Sequence, residues 1–399
     1  SWTQYNRTHW WVQYGLTEQP LLDFRLYKNT DRFSLIESRM KKFIFYIILI
    51  VITFSFIEFG SWSTIKVYQL IKPSKKNLDY FADTQRIISE MSTVDGRTLV
   101  NFNEYQAFYG WSKKDITSEN INVKNNLRKT KKNPKWNLKS KIWFFGGSTM
   151  WGSYVSDENT IPSLSSDLNH GFQPVNVGEE SYVSGQSLNR LIEINDEINE
   201  GDHVVFFDGV NDSIVNCQSV NGPNGHSKVA FIRRLISNEK NFFKGLYVRG
   251  LEKFKRTNTF TVLNGIGKRI GLQDLKRIDD FKNYSCNQSE YAFKVAESLV
   301  RHWKIAEIIT KNKKANFTCI LQPNRYTANF KVNQHTREVW KQTTLDVYPK
   351  IKELAKSLDC FNDLTNIFKK DYYLDYCCHI TGEGNKILSK EIINILFKT

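Results

Sequence analysis

A chain of 399 residues can hold one large domain with additions or two ordinary domains. Its 40% hydrophobic and 14% aromatic content excludes global disorder, and a formal net charge of +15 directs it toward anionic headgroups, acidic glycans or nucleic acid. Nucleic acid falls away first, because no zinc knuckle, helix-turn-helix signature or RNP-like aromatic strand occurs.

Residues 1–39 begin with Ser, are rich in Trp, Tyr and Arg, and follow no sustained period. They are left as an unassigned N-terminal extension, since Met40-Lys41-Lys42 reads as the natural start of an export signal. Residues 40–60 then form a transmembrane signal anchor. From Phe43 to Ile57 there is no charge, and the apolar run reaches Phe59 with Glu58 at the interface. Arg39, Lys41 and Lys42 directly before it place the N-terminus in the cytoplasm and the bulk of the chain outside. A cleaved signal peptide is the rival reading, although Ser61-Trp62-Ser63 is a poor cleavage site. The expected membrane contact is therefore the 43–59 helix.

Residues 61–136 are polar, with Lys-rich stretches and isolated apolar spots such as "EYQAFYGW", and read as a stalk and lead-in segment. From 137 to 399 strands and helices alternate. "KIWFF" (141–145), "PVNVG" (174–178), "HVVFFDGV" (203–210), "FTCILQP" (317–323) and "LDCFNDL" (358–364) are short apolar runs ending in Gly, Pro, Asn or Asp, as buried parallel strands do. Helical spacing lies between them. Leu188, Leu191, Ile192 and Ile198 mark one helix, and Val295, Leu299, Trp303, Ile305 and Ile308 another. A third covers 338–357, and the last, about 384–397, starts at Gly384-Asn385. The alternation predicts a doubly wound five-stranded parallel α/β sheet, with ligands at the carboxyl ends of the strands. An insertion at about 213–285 breaks the rhythm. Between Lys228 and Lys282 it carries 14 Lys and Arg against five Asp and Glu, with Phe231, Leu235, Phe242, Leu246, Leu251 and Phe254 at near-helical spacing. It reads either as a solvated helical decoration or as a platform facing anionic material.

Six cysteines without a CxxC fit an oxidising compartment. Cys217 and Cys286 flank the insertion, which favours a bridge between them, and Cys319 reads as a core residue of its strand. The adjacent Cys377-Cys378 pair is poorly spaced for zinc. "GGSTMWG" matches neither dinucleotide nor P-loop patterns, so no nucleotide cofactor is expected.

Four strand ends carry the polar residues of interest. They are Gly146-Gly147-Ser148-Thr149, "NVGEESYVSGQ", Asp208 to Asp212 ("DGVND"), and Asp375 to Asn385 ("DYCCHITGEGN"). In a doubly wound sheet all four reach one rim. Their order resembles the blocks of the SGNH (GDSL-like) hydrolase superfamily over about residues 137–399. The likeness is strongest to bacterial membrane-anchored members with "FFGGST", "NxGExxYVS", "DGVND" and "CHxTxEGN" signatures. The lead-in "FYGWSKKDITSENINVKNNLRKT" is similar to the segment that precedes the first block in those members.

The resemblance implies a flavodoxin-like fold with Ser148 as nucleophile and His379 as the base that takes its proton. His9, His170, His203, His226, His302 and His335 lie outside the matching block and read as surface or structural. The family places an Asp three residues before the histidine. Here Tyr376 holds that position and Asp375 lies one residue earlier, so Asp375 is taken as the orienting carboxylate, with a main-chain carbonyl as the alternative. The implied oxyanion donors are the Ser148 N–H, a backbone N–H of the second block and the Asn211 amide. In that second block Ser181 stands where the family has Gly, which would strain any positive φ; Gly178 is the lesser donor candidate. The expected activity is extracytoplasmic removal of acyl or acetyl groups from a glycan or lipid, with no metal or cofactor. An O-acyltransferase of envelope polysaccharide and a catalytically silent glycan-binding module are the alternatives.

Overall fold

The computed structural model describes residues 30–71 (side chains from 38 to 68), 87, 103–133, 135, 140–168, 171–218, 222–226, 250, 253–254, 257–269, 285–330 and 338–397. The chain divides into two compact units, residues 1–68 and 69–399. The first contains most of one long helix, α1 (Thr30–Ile71). Within it Ser38–Tyr68 reaches a mean hydropathy of 2.3 over 18 residues, long and apolar enough to cross a membrane. The successive residues Phe43, Ile44, Phe45 and Tyr46, which go round this helix, are all more than half exposed, so its apolar surface is not confined to one face. The helix outruns the expected 40–60 boundary because Gly60 alone does not break it.

The second unit is built on a seven-stranded sheet, not five. Its strands are β3 (Val123–Lys124), β4 (Leu127–Arg128), β5 (Lys141–Gly146), β6 (Gln173–Asn176), β7 (His203–Asp208), β8 (Asn316–Leu321) and β9 (Phe361–Asp363), in the order β3-β4-β6-β5-β7-β8-β9. A separate hairpin, β1 (Asn103–Gln106) with β2 (Gly110–Lys113), precedes them. The five expected strands are present and mutually parallel, with Phe144 opposite Val205 and Cys319 opposite Phe361. The other two come from the lead-in segment and add an antiparallel edge through the Arg128–Asn176 pair. Two-residue strands are too short to leave a periodic signal, which is why the sequence pattern missed them.

Alternation along β5 and β7 sends side chains to two cores. Trp143, Phe145, Val204 and Phe206 enter one, with Leu188 and Leu191 of α4 (Ser184–Glu193), Leu299 and Trp303 of α7 (Ser289–Asn312), and Val347 and Ile351 of α8 (Glu338–Ala355). Ile142, Phe144, Val205 and Phe207 enter the other, with Ile161 of α3 (Ile161–Ser165) and Leu388 and Ile392 of α9 (Gly382–Leu396). Helices thus cover both faces, and both cores are close-packed aromatic and aliphatic side chains. Some predicted core positions are exposed: Ile192, Ile305 and Ile308 face outward, and Ile198 is buried beyond the end of its helix. The last helix starts at Gly382, capped by the Thr381 hydroxyl that accepts from Gly384 N at 3.1 Å, two residues before the predicted start.

Two disulfides pin this unit. Cys217–Cys286 closes the base of the insertion as expected. Cys319 is not a simple core residue; it is bonded to Cys360 and ties β8 to the start of β9. Residues 213–218 belong to the short helix α5 (Val210–Val215) and the turn after it, with Ile214 and Cys217 in the core. Of the insertion, α6 (Asn258–Arg269) is described, and Phe254 packs on Phe260 at 5.7 Å. The period through Phe231, Leu235, Phe242, Leu246 and Leu251 lies outside the described residues.

Candidate active site

The parallel strands run 2-1-3-4-5, so the strand order reverses between β5 and β7, where a doubly wound sheet opens a crevice at its carboxyl edge. Ser148 follows β5 and Asn211 follows β7. The turn between β5 and the short helix α2 (Ser148–Trp151) needs its two glycines. Gly146 has φ +153°, and a Cβ there would lie 2.5 Å from the Phe207 carbonyl; a Cβ on Gly147 would overlap the Asn211 amide. The bare turn therefore lets two strand ends approach closely, with Ser148 at the tip, partly exposed.

His379 arrives from the opposite end of the sequence. Its Nε2 lies 2.8 Å from Ser148 Oγ, and its Nδ1 lies 2.6 Å from Asp375 Oδ2. An ionised carboxylate only accepts, so Nδ1 carries the proton and neutral Nε2 is free to accept from the serine hydroxyl. The four-residue spacing is absorbed by a tight reversal. Leu374 N donates to His379 O and Thr381 N to Tyr372 O, while residues 375–378 wrap around the Asp375 carboxylate. Backbone N–H groups of Cys377, Cys378 and His379 donate to its Oδ1 at 2.9, 2.8 and 3.2 Å, leaving Oδ2 to the imidazole. Burial alone would raise the Asp375 pKa, but the His379 charge and these hydrogen bonds bring it down to about 2. Burial would lower His379, but the Asp375 charge and hydrogen bond outweigh it and lift the imidazole to about 9.

Further residues complete the rim. The Tyr154 ring stands edge-on to the His379 ring at 4.8 Å, and Tyr154 itself takes φ +72°. Thr149 Oγ1 donates to Cys378 O at 3.1 Å, joining the Ser148 helix to the His379 loop. Arg128 of β4, nearly fully buried, pairs with Asp157 at 3.0 Å and donates to the carbonyls of Trp151, Gly152 and Val155. A lead-in residue thereby shapes the loop that carries Tyr154. Lys113 of β2 is also buried, 2.8 Å from Glu180, whose other oxygen accepts from Ser153 at 2.9 Å. Burial would raise Glu180, but Lys113 and Ser153 hold it below the usual carboxylate range; neighbouring Glu179, more completely buried, is pushed up to about 7. Sequence reasoning missed Trp111, Lys113, Arg128, Tyr154 and Glu180. The one available signal was Glu179-Glu180, a charged pair inside an otherwise uncharged, glycine-bearing turn.

Of the implied oxyanion donors, Asn211 Nδ2 gives one hydrogen to Tyr182 O at 2.8 Å and keeps a second. Ser181 does adopt the positive φ that its sequence position foreshadowed, at +66°. Gly178 N donates to Asn176 Oδ1 at 3.1 Å and is thereby spent. A second Ser/His/Asp grouping exists below the rim but is structural. Fully buried Ser184 gives its single hydroxyl proton to Asp212 at 2.5 Å, so His302 Nδ1, at 2.8 Å, donates to it. Among the described residues no group of three His, Cys, Asp or Glu side chains is arranged to hold a metal ion. A cleft of about 460 Å³ at the sheet edge, between Ile116, Val123, Leu127 and Pro174, is reached by Arg128 and Asn176 but by none of Ser148, Asn211, Asp375 and His379.

No protein-family model and no curated protein matches the chain. Solved structures do. An aryl esterase of M. smegmatis in inhibitor-bound form is similar at 12% identity over 65% of this chain and 99% of that one, with a TM-score of 0.37. A carbohydrate acetylesterase family member from Sinorhizobium meliloti is 13% identical over 65% and 100%, TM-score 0.36. A member of the lipolytic protein G-D-S-L family from Veillonella parvula is 9% identical over 65% and 97%, TM-score 0.35.

Proposed function

We propose that the chain is a serine ester hydrolase in which Ser148 attacks an acyl carbon, His379 removes its proton and Asp375 orients the imidazole. The observation that carries this reading is the unbroken contact line from Asp375 Oδ2 through both ring nitrogens of His379 to Ser148 Oγ, at 2.6 and 2.8 Å. A serine hydroxyl is a weak nucleophile until a base within hydrogen-bond reach takes its proton, and a base needs a third group to fix its tautomer. Attack forms a tetrahedral oxyanion. The Ser148 N–H, the Ser181 N–H and the free hydrogen of Asn211 Nδ2 stabilise it as charge develops. His379 then returns the proton to the leaving alcohol, and water repeats the sequence on the acyl-enzyme.

The substrate class follows from the surroundings of the site. An acyl or acetyl ester of a glycan or lipid outside the cytoplasm fits a membrane anchor preceded by Arg39, Lys41 and Lys42 and a domain with two disulfides. Transfer of the acyl group to a second alcohol uses the same residues, and the two outcomes differ only in whether water reaches the acyl-enzyme. A silent binding module would have no use for an ordered acid–base pair at a serine. The test is turnover of acetyl and longer-acyl p-nitrophenyl esters by the detergent-solubilised chain beside Ser148→Ala. Ser148-dependent turnover supports the reading; equal rates in the two proteins contradict it.

A further inference from the structure

The turn that supplies the second oxyanion donor is held by three donors, two of which, Trp111 and His226, lie outside the four motif blocks. Three consecutive carbonyls, of Glu180, Ser181 and Tyr182, each accept an N–H from a different part of the fold. Trp111 Nε1 of β2 donates to Glu180 O at 3.1 Å. His226 Nε2 meets Ser181 O at 3.0 Å, and because a carbonyl only accepts, Nε2 is the protonated nitrogen. Asn211 Nδ2 donates to Tyr182 O at 2.8 Å. The three are also packed on one another. The Trp111 ring stands edge-on to His226 at 5.0 Å and to Tyr182 at 5.7 Å, and the Tyr182 hydroxyl donates back to the Trp111 carbonyl.

A trans peptide points its N–H opposite to its C=O. Fixing three carbonyls therefore fixes the N–H groups of Ser181, Tyr182 and Val183. Two of these are spent inside the turn, Tyr182 N on Glu179 O at 3.3 Å and Val183 N on Gln186 Oε1 at 3.2 Å. The Ser181 N–H has no acceptor among the described residues. It belongs to the peptide that Trp111 holds. Ser181 meanwhile sits at φ +66°, a conformation that a residue with a Cβ leaves unless its surroundings over-determine it.

We propose that Trp111, with His226, is a positioning residue that keeps the Ser181 N–H turned toward the oxyanion. The inference rests on the hydrolase reading above. The β1–β2 hairpin and the 222–226 turn are then working parts of the site. They substitute for the glycine that would hold positive φ unaided, and removing the Trp111 donor lets the Glu180–Ser181 peptide rotate away.

The experiment compares wild type, Trp111→Phe, His226→Phe, Ser181→Gly and Trp111→Phe/Ser181→Gly as detergent-solubilised full chains. Each is assayed on p-nitrophenyl acetate after a melting curve establishes that it folds. Trp111→Phe should lower kcat about ten- to a hundredfold with KM little changed, because a transition-state donor is lost from its aim while ground-state contacts remain. His226→Phe should lower kcat less, and serves as the second probe if Trp111→Phe does not fold. The decisive readout is rescue. Glycine tolerates positive φ without a clamp, so Ser181→Gly should restore severalfold of the kcat lost in Trp111→Phe. A merely structural tryptophan would give no rescue. Wild-type kcat in both phenylalanine variants, or no restoration by glycine, overturns the proposal while leaving the Ser148 reading intact. Absence of Ser148-dependent turnover in wild type overturns both.

Discussion

Burial would leave His379 a poor proton acceptor, and Asp375 reverses that by charge and hydrogen bond. The consequence is a pH profile. The imidazole must be neutral to accept the serine proton, and its pKa is raised from 6.5 to about 9. The kcat/KM for a neutral ester should therefore climb about tenfold per pH unit through neutrality and level off near pH 9. Asp375→Asn should move this limb to lower pH and cut kcat by roughly a thousand- to ten-thousandfold, since the Nδ1 partner then no longer enforces the tautomer. A limb unmoved by Asp375→Asn would remove Asp375 from the site. Stability follows the same linkage. The contribution of the raised histidine is complete below pH 6.5 and is lost as pH rises through about 9. That of the depressed Asp375 is present above pH 3.8 and lost as pH falls through about 2. His379→Ala and Ser148→Ala should each lower kcat by at least about a thousandfold, and the double variant little further, because the pair acts as a unit. At this scale Ser148, Asn211 and His379 were legible as motif residues. The Asp375 spacing was legible only as an anomaly, because a carboxylate wrapped by three backbone N–H groups is a property of the folded loop and not of residue order.

Among the elements, the lead-in segment departs most from its sequence reading. Residues 61–136 look polar and irregular, yet they contribute a hairpin, two edge strands and the buried cations Lys113 and Arg128. Short strands leave no period, and a buried arginine reads as a surface charge until its partners are known. Arg128→Met should destabilise the unit by roughly 3–5 kcal/mol, because Asp157 is left as an unpaired buried charge; a paired Arg128→Met/Asp157→Leu change should recover only part of that loss, since the carbonyls of Trp151, Gly152 and Val155 still lack their donor. Denaturant unfolding of the three proteins measures both effects. A chain beginning at 137 should fail to unfold cooperatively. One beginning at 69 should retain the transition and its esterase activity. The strands β5, β7 and β8 were legible because nearly fully buried parallel strands are continuous apolar runs, while the half-buried β6 and β9 left shorter ones. The Cys319–Cys360 bond was not, since pairing depends on two strands meeting.

At the scale of the whole molecule, the chain holds a helix able to cross a membrane and a three-layered α/β/α unit whose polar rim gathers residues 148, 211 and 379 from three separate stretches of chain. Net charge belongs to this scale as well. The +15 excess should draw the protein to anionic vesicles at low salt and release it as salt rises, with exposed charges screened within about 10 Å at 0.1 M. Turnover of a small neutral ester should be nearly unaffected by that change, because proton transfer between Ser148 and His379 acts at hydrogen-bond range. Sequence composition carried the charge and the long apolar helix; which strand ends share the rim needed the topology. The most direct measurement of the central claim is labelling of the detergent-solubilised chain with a fluorophosphonate, followed by peptide mass spectrometry. One phosphonylated residue, Ser148, is expected, with labelling slowed by orders of magnitude in His379→Ala. An adduct on another residue, or labelling of Ser148 that proceeds equally fast without His379, would contradict it.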